Sequence, residues 1–292
     1  MPPFQCAAIS GVRSHGQRNE AFSGASKKKI AYIVTFCRAQ SGWEQAIDNE
    51  NRMDAAGKDT ITDTILKMNK GALQRLMEGD LLLPTTRTAM KCLGDPYSCL
   101  WPKSRNGKVK VPVAISDKYD AGEKSTIVKA LQEMEAKTCI RFIRRTRQRV
   151  HISIEPNYGC FSMLGRLGDK QVVSLQRFGC VQHGIILHEM MHALGFFHEH
   201  TRSDRDDYVR IEWENVQKLH RHNFQKQDTN NLNLPYDYAS LLHYGRTAFG
   251  KKQTQTIIPI PDESVEIGQR NHLSDLDVVR INRLYQCKNY PH

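Results

Sequence analysis

Residues 188 to 198 read His188-Glu189-Met190-Met191-His192-Ala193-Leu194-Gly195-Phe196-Phe197-His198, and the spacing of the histidines decides how the chain around them must fold. On a helix, residues four apart lie one above the other on one face, so His188 and His192 aim two imidazoles at a common point. Glu189 falls between them. Its carboxylate points elsewhere but hangs over the same point, where it can take a proton from a water. Gly195 has no Cβ and can adopt the left-handed conformation that ends a helix, which lets the backbone swing His198 back as a third nitrogen ligand. Three protein ligands leave one position open for water, whereas structural zinc sites are closed by four. The stretch therefore predicts one catalytic zinc per chain, held by His188, His192 and His198, with Glu189 as the base.

The five-residue core of this pattern is common on helices. The glycine and third histidine extend it to the elongated form that marks the metzincin metallopeptidases. The chain continues Glu199-His200-Thr201-Arg202-Ser203-Asp204-Arg205-Asp206, and this run resembles the astacin family. Ser240-Leu241-Leu242-His243-Tyr244 is similar to the astacin Ser-x-Met-His-Tyr turn. The resemblance implies that Tyr244 is a switchable metal ligand and a hydrogen-bond donor to the transition state. Leu242 stands where the family has methionine. The two side chains are close in volume, and such exchanges in a packed site cost less than about 1.5 kcal/mol, so zinc binding is expected to survive.

An astacin-like chain is expected to be α/β and zincin-like, with two lobes. A twisted, mainly parallel sheet and the zinc helix form the N-terminal lobe, and a largely irregular C-terminal lobe ends in a helix. The periodicity agrees. Ile127, Val128, Leu131 and Met134 make a helical stripe within residues 125 to 137. Residues 109–113, 139–143, 151–154 and 172–175 read as strands. The last of these resembles the edge strand to which astacins pair an extended peptide substrate. Ser274 begins a terminal helix with Asp275 and Asp277 in its first turn.

Upstream, Ile61, Ile65, Leu66, Leu73 and Leu76 recur at near-helical spacing. Met77-Glu78-Gly79-Asp80 follows, similar to the Phe-x-Gly-Asp segment of astacin propeptides. By that resemblance Asp80 occupies the open zinc position and keeps a zymogen silent, with cleavage after Arg87 freeing an enzyme that begins at Thr88. The organisation expected is thus 1–59 as a segment with no assignable role, 60–87 as propeptide and 88–292 as catalytic domain. In the family the mature N-terminus is buried near the glutamate after the third histidine, here Glu199. Pairing of Glu199 with an arginine such as Arg202 is the simpler alternative.

The chain has 292 residues, 39% of them hydrophobic, and eight cysteines. Cysteine-rich chains of this size belong to oxidising compartments. Sequence alone does not choose among the possible pairings. The resemblance implies Cys139 with Cys287 and Cys160 with Cys180. Cys92 and Cys99 form an additional close pair, as in the six-cysteine astacins of fishes, among them the hatching enzymes. That likeness implies secretion, by way of secretory granules, and a monomer acting on protein or peptide substrates such as egg-envelope glycoproteins. No clear signal peptide opens the chain: Lys27-Lys28-Lys29 precedes an apolar run that Arg38 closes early. No stretch approaches the roughly 20 apolar residues that span a bilayer.

The net charge of +11 suits any polyanionic partner. Its densest cluster is Arg141, Arg144, Arg145, Arg147 and Arg149, read as a solvated loop. No nucleic-acid-binding motif accompanies it, so no nucleic-acid partner is expected. His183, His200, His220, His222 and His243 read as surface or structural residues. The alternative to an active peptidase is a catalytically impaired astacin-like protein that binds matrix, suggested by Leu242.

Overall fold

A computed structural model describes residues 59–73, 76–82, 99–269 and 271–291. The first helix, α1 (Ile61–Met68), starts on a capping box between Thr60 and Asp63 and buries Ile61 and Ile65. It stops at Asn69, so Leu73 and Leu76 lie beyond the helix to which their spacing assigns them. Leu76 instead belongs to a small antiparallel hairpin, β1 (Leu76–Met77) and β2 (Leu81–Leu82), which turns through Glu78, Gly79 and Asp80.

Five strands make the main sheet: β3 (Val109–Ile115), β4 (Ile140–Arg144), β5 (His151–Glu155), β6 (Cys160–Phe161) and β7 (Lys170–Leu175), in the order β4-β3-β5-β7-β6. The first four in that order are parallel and β6 runs antiparallel to β7. Pro112, inside β3, costs the sheet no ladder bond. Val109 N–H and Val113 C=O face β4, so Pro112 faces β5, whose pairing begins only at Val113 opposite Ile152.

Helix α2 (Ala121–Lys137) opens on a capping box between Asp120 and Glu123 and lays Ile127, Ala130, Leu131 and Met134 on the sheet. Val128, expected in that stripe, faces outward and is 39% exposed; Ala130 takes its place. Helix α3 (His183–Ala193) packs beside α2 and is buried over nearly its whole length. A helix apolar all round belongs inside a core. Each fully buried Ile, Leu or Met contributes roughly 1.5–3 kcal/mol, and Ile127, Met134, Ile140, Ile152, Ile154, Ile185 and Ile186 are all of this kind.

One expectation is corrected here. The strand containing residues 172–175 is β7, which lies between β5 and β6 and is not an edge. After β5 the chain turns back at Gly159 (φ +89°), and Cys160–Phe161 covers the outer side of β7. A two-residue strand is too short to show the alternation by which strands are recognised.

Beyond Gly195 the chain is held by short 3-10 turns and one antiparallel ribbon, β8 (Val209–Ile211) with β9 (Ile257–Pro259), until α4 (Asp275–Leu284). Ser274 and Asp277 form the α4 capping box. Two disulfides are present as the resemblance implied. Cys139–Cys287 joins the start of β4 to the residues after α4, and Cys160–Cys180 joins β6 to the turn before α3. Cys99 is disulfide-bonded; Cys92, Cys6 and Cys37, like Arg87 and Thr88, lie outside the described residues. Among the described residues no helix is long and apolar enough to cross a membrane.

Candidate metal centre

Helix α3 presents His188 and His192 from its last two turns, and Gly195 (φ +109°) then ends the helix. His198 returns to the same point, fixed from behind where Glu199 N–H donates to Leu242 O at 3.0 Å. The three imidazole centroids lie 4.6–5.1 Å apart. Each ring directs its outer nitrogen at an acceptor: His188 Nδ1 at Leu241 O, 2.9 Å away, His192 Nδ1 at Phe196 O, 2.7 Å away, and His198 Nδ1 at Glu78 Oε2, 2.8 Å away. A proton on Nδ1 leaves the Nε2 lone pair free, which is the arrangement of metal-ligating histidines.

Asp80 closes the group from the hairpin. Its Oδ2 is 3.1 Å from His188 Nε2 and 3.3 Å from His198 Nε2, and its Oδ1 is 3.6 Å from His192 Nε2. The Nε2 atoms of His188 and His192 are 3.1 Å apart. A tetrahedron with zinc bonds of about 2 Å has edges of about 3.3 Å, so these separations suit one zinc ion with a three-nitrogen, one-oxygen donor set. Asp80 Oδ1 and His198 Nε2 are buried without a hydrogen-bond partner, which a cation at that point would satisfy. All four side chains are buried.

Electrostatics point the same way. Burial works against the Asp80 carboxylate, but His198 and His192 beside it hold the group well below the usual range. Burial pushes His188 down to about 4. The same burial acts on His198, yet Asp80 and Glu78 outweigh it and lift this ring to about 9. Burial thus keeps His188 and His192 neutral, with their Nε2 lone pairs available, while the two acidic groups Asp80 and Glu78 favour positive charge only at His198. Glu189 is buried with neither oxygen hydrogen-bonded, and burial followed by the Asp80 charge raises its carboxyl well above the ordinary value. A base held this way is poised to accept a proton rather than committed to an ion pair.

Tyr244 lies buried beside the rings, 4.6 Å from His198 and stacked at 3.8 Å on His200. Its hydroxyl donates to the carbonyl of Glu78. Burial keeps that hydroxyl protonated. Leu242 is buried under the site, its N–H donating to Ser240 Oγ at 3.1 Å and its carbonyl receiving Glu199 N–H.

A profile of the astacin peptidase family matches residues 100–286. The chain belongs to the astacin family. The low choriolytic enzyme of Oryzias latipes is 54% identical over 261 residues, covering 88% of this chain and 96% of the relative. High choriolytic enzyme 1 of the same fish is 48% identical over 262 residues, covering 89% and 96%. The solved structure of high choriolytic enzyme 1, a hatching enzyme zinc-protease of Oryzias latipes, superposes with a TM-score of 0.65 at 53% identity, covering 68% of this chain and 100% of that one. The chain is thus a metalloendopeptidase of astacin type, with an α/β metzincin fold.

The astacin turn is anchored from a residue that sequence reading assigns only to a helix's first turn. Asp277 Oδ1 accepts from Ser240 Oγ at 2.7 Å, and its Oδ2 accepts from Leu241 N–H at 2.9 Å. Leu241 passes its own carbonyl to His188 Nδ1, so α4 helps to orient a ring of the metal centre. Glu199 receives a fork from Arg280, with Nη2 at 2.6 Å, and a longer contact from Arg202 at 3.4 Å. Arg280, not Arg202, is therefore its main partner; docking of a mature N-terminus there concerns Thr88, outside the described residues. His243 is structural as expected, held between Tyr236 Oη at 2.7 Å and Tyr244 O. His183 meets Glu133 and His220 stacks on Phe249. Arg144, Arg145, Arg147 and Arg149 are exposed, whereas Arg141 is half-buried and bonded to Tyr290 Oη.

Three further contacts have no signal in the sequence. Asn69, at the end of α1, donates from Nδ2 to Cys160 O and accepts from Cys160 N–H, pairing with edge strand β6 as a peptide unit would. Asp80 O and Leu82 N–H bond Ser162 at 3.0 and 2.8 Å, in a parallel bridge to the same edge. Gly79 (φ +79°) makes the tight turn of the hairpin; a Cβ there would lie 2.6 Å from Leu66 Cδ2. Only residue types, not partners, are written in a sequence.

Proposed function

We propose that the chain is the secreted zymogen of a zinc-dependent endopeptidase that acts on extracellular protein, with egg-envelope glycoprotein as its substrate class and the monomer as its working form. The observation that carries the latent state is Asp80, buried among three convergent histidine nitrogens on a hairpin that also covers the sheet edge beside them. In this reading residues 60–87 are the propeptide and residues 88–292 the catalytic domain. The egg-envelope substrate rests on the choriolytic relatives. A matrix-binding protein without activity is not the reading these relatives favour.

His188, His192 and His198 would hold zinc, which supplies Lewis-acid polarisation of a peptide carbonyl and acidifies the attacking water. Glu189 accepts the proton of that water and returns it to the leaving amine. Tyr244, once freed from the Glu78 carbonyl, donates its hydroxyl to the oxyanion that forms on the substrate. The edge at Cys160–Ser162, once Asn69 and residues 80–82 have left, offers backbone donors and acceptors to an extended peptide.

Three measurements test the reading. Glu189→Gln in the mature enzyme is expected to keep its zinc and lose turnover by about 10²- to 10⁴-fold; cleavage at the parental rate would sink the assignment. Asp80→Ala is expected to leave the uncleaved proform active on a small peptide, and latency equal to the parent would exclude the switch. Cleavage-site profiling on egg-envelope protein against a general peptide library tests the substrate class.

A further inference from the structure

The three histidines are not oriented by the same part of the chain. His188 and His192 give their outer N–H groups to Leu241 O and Phe196 O, both within the catalytic domain. His198 gives its own to Glu78, two residues before Asp80. Glu78 Oε2 also accepts the His198 backbone N–H at 3.2 Å, and Oε1 accepts from Gln227 Nε2 at 3.0 Å. The carboxylate is buried, on a residue held at φ +51°. A backbone in the left-handed region with a fully buried acidic side chain is costly unless specific contacts hold it. Here two of the three contacts of that side chain go to His198 itself.

We propose that Glu78 is a second metal-site residue of the proform: a positioning carboxylate behind His198 that raises the affinity of the latent site for zinc and is lost when the propeptide leaves. A carboxylate that receives the outer N–H of a metal-bound imidazole fixes the ring and makes it a stronger donor, and removing such partners typically weakens metal binding 10- to 100-fold. Cleavage after Arg87 therefore strips two carboxylates from the centre, the one facing the metal and the one behind its third ligand. The proform holds zinc more tightly than the enzyme it becomes. This rests on the assignment of residues 60–87 as propeptide.

The test uses the full-length, uncleaved chain as parent, Glu78→Ala, Glu78→Gln and Asp80→Ala, each loaded with zinc and challenged with excess chelator. Glu78→Ala is expected to bind zinc roughly 10- to 100-fold more weakly. Glu78→Gln still offers His198 a neutral oxygen and is expected to fall between Glu78→Ala and the parent. After activation the Glu78 variants and the parent share one mature sequence, so equal activity of those mature products reports that each proform had folded. Parental zinc affinity in Glu78→Ala overturns the proposal. Should Glu78→Ala fail to fold, Glu78→Gln decides, because binding as tight as the parent's would equally overturn it. If Asp80→Ala remains latent, the propeptide assignment fails. If Asp80→Ala is active and Glu78→Ala keeps its zinc, the role of Glu78 alone fails.

Discussion

Both lobes that meet at the metal centre enclose buried apolar residues, but they hold their chain segments in different ways. The N-terminal lobe, from β3 to α3, is a sheet with two helices whose inner faces are Ile, Val, Leu and Met. Its order comes from burial and regular backbone pairing. The C-terminal lobe has little regular structure before α4, and side chains hold its loops to one another: Asp277 to Ser240 and Leu241, Arg280 to Glu199, Arg202 to Leu234 O and Pro235 O, Arg205 to His200 O. Burial is non-directional and forgives small changes. A polar network leaves buried groups unsatisfied when one member goes. The first lobe therefore supplies two histidines on a rigid helix, and the second tunes where they point.

The largest expected effect comes from cutting the covalent tie between the lobes. Replacing Cys139 and Cys287 by serine opens a link between residues 148 apart in sequence, expected to cost about 5 kcal/mol by loop entropy; denaturant unfolding measures it, and a loss under about 1 kcal/mol would show that the lobes hold each other without the tie. Next comes a matched pair. Ile154→Ala and Asp277→Ala should each cost about 3 kcal/mol, the first through a cavity and the second through stranded donors. Only Asp277→Ala should also weaken zinc binding, roughly tenfold, because it frees the turn that orients His188. Equal zinc affinity in the two variants would erase the distinction between the lobes. The smallest effect is expected for Leu242→Met, which restores the family residue under the site: a stability change below about 1.5 kcal/mol with zinc retained. A gain in turnover of more than about tenfold would show that the floor of the site is tuned more finely than its volume suggests.

The same division explains what the sequence can disclose. His188, His192 and His198, the capping signal at Ser274 and the strand segments of the first lobe announce themselves by local spacing, because helices and strands are periodic. Strand β6 escapes because two residues carry no period, and β7 then passes for the edge that β6 provides. Asp277 is legible as a first-turn residue of α4 and illegible as the anchor of a turn 36 residues earlier. Glu78, Asn69 and Arg280 act on partners 120, 91 and 81 positions away, distances at which no local pattern survives. Asp80 stands out only because a resemblance supplies its setting.

The amide of Asn69 has one further consequence. An open sheet edge invites pairing with any extended chain, including another copy of the same protein. Asn69 lends β6 the donor and acceptor of a missing neighbour, and residues 80–82 bond the chain just beyond it, so the rim facing the cleft is covered in this structure. On the proposed cleavage that rim would be uncovered, and the row of backbone groups that then accepts an extended substrate peptide is, by the same chemistry, the part of the surface most open to any other strand.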